Sequence, residues 1–168
     1  MDYDKGIFWD GLAEKVIEFA NSNGMPTVVD FKSVNKEKFR NAEVVCPNLM
    51  EAKRILGAGD KDLSKEEVAI ALSEKVGCKV AAVTCGPEGI CLAERGLGVS
   101  QIPTRAREVF EVTGAGDTVS ALLGLALAAG ANYREAAEIA NYAAGVVVGK
   151  VGTATVSKEE LVRAILAG

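Results

Sequence analysis

The sequence predicts an α/β domain in which a mainly parallel sheet is flanked by helices, and three observations carry that prediction. Segments of helical period alternate along the chain with short runs rich in Val, Ile, Thr and Ala, the order a βαβ protein requires. Hydrophobic residues make up 49% of 168 positions, enough for one domain with a real core. Eighteen glycines against four prolines supply tight turns without the composition of a disordered chain. Nothing repeats internally, and no low-complexity linker divides the chain.

Each element has its own signal. Residues 11–23 place Leu12, Val16, Phe19 and Ala20 at helical spacing, and Asn23-Gly24 followed by Pro26 closes that helix. Residues 27–31 and 42–46 read as short buried strands. A helix is predicted over 48–56, ending at Gly57, and a second over 64–76, opened by a Ser64/Glu67 capping box. Residues 79–85, 90–94 and 98–102 read as strands, the last two as a hairpin around Arg95-Gly96-Leu97. Helices follow over 116–129, 133–148 and 157–166.

Composition also excludes functions. A net charge of −4 with no long basic cluster argues against nucleic acid as a partner. No run of eighteen apolar residues occurs, and Met1 is followed by Asp2 and Asp4, so neither a membrane partner nor a signal peptide is expected, and the cytoplasm is the expected compartment. Cys46, Cys78, Cys85 and Cys91 form no Cys-x-x-Cys pair, and the chain has no histidine. That removes a zinc site of the usual kind and Ser/His/Asp or Cys/His catalysis, and leaves buried reduced thiols as the expectation.

Thr113-Gly114-Ala115-Gly116-Asp117-Thr118, just before an apolar helix, carries the chemistry. Glycines allow a tight turn and close approach of a ligand, and a helix start offers unpaired N–H groups and a positive dipole end to an anion. The amides of Gly114, Ala115 and Gly116 are the expected anion hole, with Asp117 the expected base for an attacking hydroxyl. The plain alternative is a tight loop with an Asp in the first helical turn.

Glu111-Val112-Thr113-Gly114-Ala115-Gly116-Asp117-Thr118 resembles the signature of the ribokinase-like sugar kinases, the phosphofructokinase B family. Ile102-Pro103-Thr104-Arg105-Ala106-Arg107-Glu108-Val109 and the segment from Ala143 to Thr153 look most like the heptose-7-phosphate kinase domain of ADP-heptose biosynthesis. The resemblance implies a three-layer ribokinase-like fold and phosphorylation of a sugar hydroxyl with ATP and Mg²⁺. It covers nearly the whole chain but only the C-terminal half of the family's domain. Residues 1–168 are therefore expected to be the nucleotide-binding portion, without the half that supplies the lid and most sugar contacts, and to be weak or inactive alone. A His-bearing nucleotidyltransferase signature, carried by some heptose kinases, is absent.

The same resemblance extends to further residues. Asn48 and Glu51 match an Asn-x-x-Glu element that organises Mg²⁺ and phosphates through water; the spacing is equally that of an N-cap and its partner. Thr84, Gly86 and Gly89 match a strand-end turn that touches the nucleotide, or form a plain Gly-Pro turn. Asn141 matches a position bordering the purine, or is a helix-surface Asn. Glu111, Thr113 and Gly152 match a monovalent-cation site for K⁺, with Glu111 where the family has Asp. Lys32, beside Asp30, either meets a phosphate or forms a solvated pair, and Phe31 stands where the family has Pro. A second class of reading is a non-catalytic phosphate-binding or assembly module, and within the enzymes a ribokinase or fructokinase type is the rival. An open sheet edge points to a homo-oligomer.

Overall fold

A computed structural model describes residues 6–32, 36–59, 62–106 and 109–168; Asp2 to Lys5, Arg107 and Glu108 lie outside them. The strands β1 (Val28–Val29), β2 (Val44–Val45), β3 (Val80–Thr84), β4 (Ile90–Glu94) and β5 (Gly98–Ile102) form one sheet in that order. β1, β2 and β3 run parallel, and β4 and β5 return antiparallel. The Arg95-Gly96-Leu97 turn sets the hairpin register, with Glu94 opposite Gly98 and the Leu97 amide donating to the Glu94 carbonyl.

Strand alternation divides the core into two faces. Val45, Ala81, Val83, Cys91 and Ala93 meet helices α1 (Leu12–Ser22), α2 (Leu49–Leu56) and α3 (Lys65–Val76), with Phe31 and Phe39 packed ring to ring, 4.8 Å between centroids. Val44, Val80, Ala82, Ile90, Leu92 and Ile102 meet α4 (Ala115–Ala128) and α5 (Tyr133–Val148), where Ala126, Ala136, Ala137 and Ala140 allow close approach. The last helix, α6 (Lys158–Leu166), lies against α5. The result is the helix, sheet, helix sandwich expected.

The departures from expectation are local. The first two strands are shorter than expected, although hydrogen bonds from Val44 to Thr27 and from Cys46 to Val29 extend their pairing. Single 3₁₀ turns at Lys36–Phe39 and Gly86–Glu88 have no periodic signal long enough to read. Phe31 is fully buried, so the residue that replaces Pro serves the core. Parallel strands at the left of the sheet bring their C-terminal ends to one rim, where residues 30, 47–48 and 84 emerge beside the start of α4.

Candidate active site

The loop before α4 is held by its own side chains. Oε1 of Glu111 accepts from the amides of Val112 and Thr113, each at 3.1 Å, and from the Thr113 hydroxyl at 2.7 Å. These bonds, the Thr113 hydroxyl first, hold the Glu111 carboxyl below its usual range. The Phe110 amide donates to the Val148 carbonyl at 2.8 Å, which ties the loop to the end of α5. Gly114 caps α4 with φ 85°, a left-handed conformation that a side chain resists.

The donors at this helix start divide unevenly. The Ala115 amide is spent on the Val112 carbonyl at 3.2 Å, and the Thr118 amide and hydroxyl both reach the Gly114 carbonyl. Among the described residues no hydrogen bond uses the amides of Gly114, Gly116 and Asp117. A Cβ placed on Gly116 meets nothing within 4 Å, and its φ is not positive, so neither backbone nor packing demands glycine there. The missing side chain leaves space over the loop, where an anion would meet the free amides.

A cavity of about 430 Å³ opens beside this helix start. Ala115 and Gly116 form one wall, and Asn48, Thr84, Gly86, Gly89 and Asn141 others. The Thr84 amide donates to the Pro47 carbonyl at 3.1 Å, which fixes the ends of β2 and β3 together. Gly89 is there for packing, since its Cβ would lie 2.1 Å from the Ile102 carbonyl oxygen. Asn141 is buried rather than on the helix surface, and its amide donates to the Pro103 carbonyl at 2.6 Å. Gly145, which the sequence reading passed over, lets the Arg105 backbone approach to 3.0 Å of its Cβ position. Gly89, Asn141 and Gly145 together press residues 103–106 against the cavity as a wall. Gly114 and Asp117 sit in the adjoining first turn of α4, outside the lining.

Asn48 caps α2 in a full capping box: its Oδ1 accepts from the Glu51 amide at 2.9 Å, and Oε2 of Glu51 accepts from the Asn48 amide at 3.0 Å. The other Glu51 oxygen lies 3.7 Å from Nζ of Lys32. Asp30, at the end of β1, is 5% exposed, and its Oδ1 has no partner among the described residues. Its carboxyl is pushed up to about 6, by burial first and then by Glu51, with Asp117 adding and Lys32 opposing. A solvated Asp30–Lys32 pair is therefore ruled out. No group of three or more His, Cys, Asp or Glu among the described residues is assembled as a metal cage. The buried, unpartnered Asp30 oxygen beside Glu51 does fit a hydrated divalent cation.

The remaining features are quieter. The Gly114 Cβ position is 3.6 Å from Cγ2 of Thr153, so the loop of Glu111 and Thr113 touches the loop that holds Gly152. All four cysteines are free and buried, and burial pushes Cys46 up to about 12 and Cys78 and Cys91 up to about 11, which leaves them inert as nucleophiles. A larger hollow of about 510 Å³ between α5 and α6 is lined by none of the candidate catalytic, nucleotide or metal residues, although Arg105, Gly145, Val146 and Gly149 of the resembling segments border it. No helix among the described residues is long and apolar enough to cross a membrane.

Known proteins resemble this chain in sequence and in fold. The bifunctional protein HldE of Geobacter sulfurreducens is 46% identical over 164 residues, 96% of this chain and 33% of that protein. The HldE of Desulfatibacillum aliphaticivorans is 42% identical over 161 residues, again 33% of its length. The chain thus spans about a third of the curated relatives it matches. In fold it follows the Arabidopsis thaliana ribokinase solved with ribose and ATP, with TM-score 0.79 and 22% identity over 92% of this chain and 52% of that one. Phosphofructokinase-2 of Escherichia coli, solved with potassium, gives TM-score 0.78 and 19% identity over 94% and 52%. The family model for pfkB carbohydrate kinases matches residues 8–160, and with this agreement of sequence and fold the chain belongs to the pfkB family of carbohydrate kinases.

Proposed function

We propose that this chain is the nucleotide-binding portion of an ATP-dependent kinase for a sugar hydroxyl, with a heptose 7-phosphate as the substrate class. The observation that carries the reading is the start of α4: unused amides at Gly114, Gly116 and Asp117, open space over Gly116, and a carboxylate in the same turn. The heptose assignment rests on the HldE relatives.

In this reading ATP lies in the 430 Å³ cavity between Asn48, Thr84, Gly86, Gly89 and Asn141, with its phosphates towards α4. Asp30, Glu51 and Asn48 are the residues that would hold Mg²⁺, which would neutralise phosphate charge when bound. Asp117 accepts the proton of the sugar hydroxyl. The hydroxyl oxygen forms its bond to the γ-phosphorus as the bond to the β,γ-bridging oxygen breaks, and ADP leaves with that electron pair. The amides at the helix start carry the charge of the phosphoryl group in flight; one such donor is worth about 10²- to 10³-fold in rate. Glu111, Thr113 and Gly152 are the candidates for K⁺, supported by the contact between their two loops.

Calorimetric titration of MgATP into the chain tests this, with Gly116→Val as control. Saturable binding that the control loses is the expected result, because a side chain there enters the ligand's space while its Cβ meets nothing of the protein within 4 Å. Binding unaffected by Gly116→Val refutes the placement. A second reading, a non-catalytic phosphate-binding or assembly module, draws on the apolar residues that α1 leaves exposed. It predicts MgATP binding with no transfer to any sugar after the fold is completed.

A further inference from the structure

The end of α5 fastens two loops at once. The amides of Phe110 and Glu111 both reach the Val148 carbonyl, at 2.8 and 3.3 Å, which ties down the loop that leads into α4. Two residues further on, the Lys150 amide donates to the Val147 carbonyl at 3.0 Å, so Lys150 leaves the helix from a fixed place. Its Nζ donates to the Thr155 carbonyl at 2.7 Å and lies 2.7 Å from Oε1 of Glu160 in α6. Glu160 is itself held, because its Oε2 accepts from the Ser157 amide at 2.7 Å in the capping box of that helix. Lys150 thus closes residues 151–155 into a ring between the two helices, and the side chains of the ion pair are only 32% and 30% exposed.

Little else shapes that ring. Among the described residues, the bond from Lys150 is the only hydrogen bond to a main-chain group of residues 151–156, and Val151, Gly152 and Thr153 are exposed. Yet the ring touches the loop before α4: Cγ2 of Thr153 lies 3.6 Å from the Cβ position of Gly114, the left-handed residue from which the helix starts. A shift of Gly114 turns every unused amide of that first turn with it. We propose that Lys150, through its pair with Glu160, is a positioning residue for phosphoryl transfer: it holds Thr153 against Gly114 and so keeps the unused amides of Gly114, Gly116 and Asp117 aimed at the group being transferred. This rests on the reading of the α4 start as the phosphate site and adds the residue that orders it.

Lys150→Met and Glu160→Gln separate position from charge. Methionine keeps the length of the stem and loses the donors; glutamine keeps the cap with its single carbonyl oxygen and turns an NH₂ on Lys150. Charge alone predicts opposite effects on an anionic ligand, weaker binding without the lysine and tighter binding without the glutamate. Positioning predicts the same effect in both. Calorimetry is expected to show MgATP bound at least about fivefold more weakly by each variant and MgADP changed by less than about twofold, because the amides serve the terminal phosphate. Lys150→Arg, which can still reach both partners, is expected to bind MgATP within about twofold of the parent. The thermal unfolding midpoint is expected to move by less than about 2 °C, since the pair is partly exposed. In the chain without nucleotide, the nuclear Overhauser contact between the Thr153 methyl and the Gly114 α-protons is expected in the parent and lost in Lys150→Met and Glu160→Gln. Tighter MgATP binding by Glu160→Gln, equal weakening of MgATP and MgADP, or a Thr153–Gly114 contact that is missing from the parent or survives in Lys150→Met overturns the proposal. A parent chain that fails to bind MgATP overturns the phosphate reading instead, and the Thr153–Gly114 contact then still decides whether Lys150 holds the loop.

Discussion

Asp30 shows how a single side chain marks a site. A buried carboxylate with an unpartnered oxygen and two other carboxylates in electrostatic range is unfavourable unless something else is gained, and such groups concentrate at functional sites. Its carboxyl is raised to about 6 in the fold against about 3.9 in an unfolded chain. The folded state therefore holds the proton more tightly, and stability falls as pH rises from about 4 to 6, with the full penalty present above that window. Asp30→Asn is expected to raise stability by about 1–2 kcal/mol at pH 7.5 after allowance for solvent screening at the sheet end. At pH 4 the variant and the parent are expected to unfold together. Thermal unfolding at both pH values in a chelating buffer checks this; a variant less stable at pH 7.5 would sink it. The sequence placed Asp30 at a strand end but not its burial, because the burial comes from neighbours distant in the chain.

Helix starts divide cap from ligand. Asn48 was open to two readings from its spacing, and the structure shows that the capping box is made and that the same residue lines the cavity. The two roles separate by substitution. Asn48→Ala is expected to cost about 1 kcal/mol by losing the cap, whereas Asn48→Ser keeps a good N-cap and changes stability by less than about 0.5 kcal/mol. If the Asn48 amide also faces phosphate or hydrated metal, Asn48→Ser weakens MgATP binding about tenfold, a loss of about 1.4 kcal/mol. Calorimetry and thermal unfolding on the two variants read both effects; unchanged MgATP binding in Asn48→Ser leaves the residue a cap alone. Capping boxes at Asn132/Glu135 and Ser157/Glu160 follow the same spacing that revealed Ser64/Glu67, so they were legible and passed over. Helices, the β4–β5 hairpin and the loop at 113–118 were readable because periodicity and turn chemistry are local. The wall at residues 103–106, set by Gly89, Asn141 and Gly145, was not, because it depends on close approach of segments far apart in sequence.

At the scale of the whole molecule, the elements of catalysis are unequally represented. A positioned base is worth about 10²- to 10⁴-fold and an anion-hole donor about 10²- to 10³-fold, and the residues proposed for both, Asp117 and the unused amides, lie at the start of α4. Positioning of the two reactants reaches effective molarities of about 10⁵ to 10⁸ M and requires the sugar to be held and water shut out. The cavity here is lined by residues of the α4 start, the turn after β3 and α5, the ones proposed above to hold a nucleotide. A coupled assay with MgATP and heptose 7-phosphate is therefore expected to find turnover by this chain alone at least 10³-fold below that of the chain complexed with the complementary part of the fold. Asp117→Asn in that complex is expected to lower kcat by a further 10²- to 10⁴-fold with little change in nucleotide affinity, as loss of the base alone requires. Ordinary turnover by the isolated chain would show that the sugar is held by residues already present, and would move the search for its pocket to a cleft of about 290 Å³ beside β1.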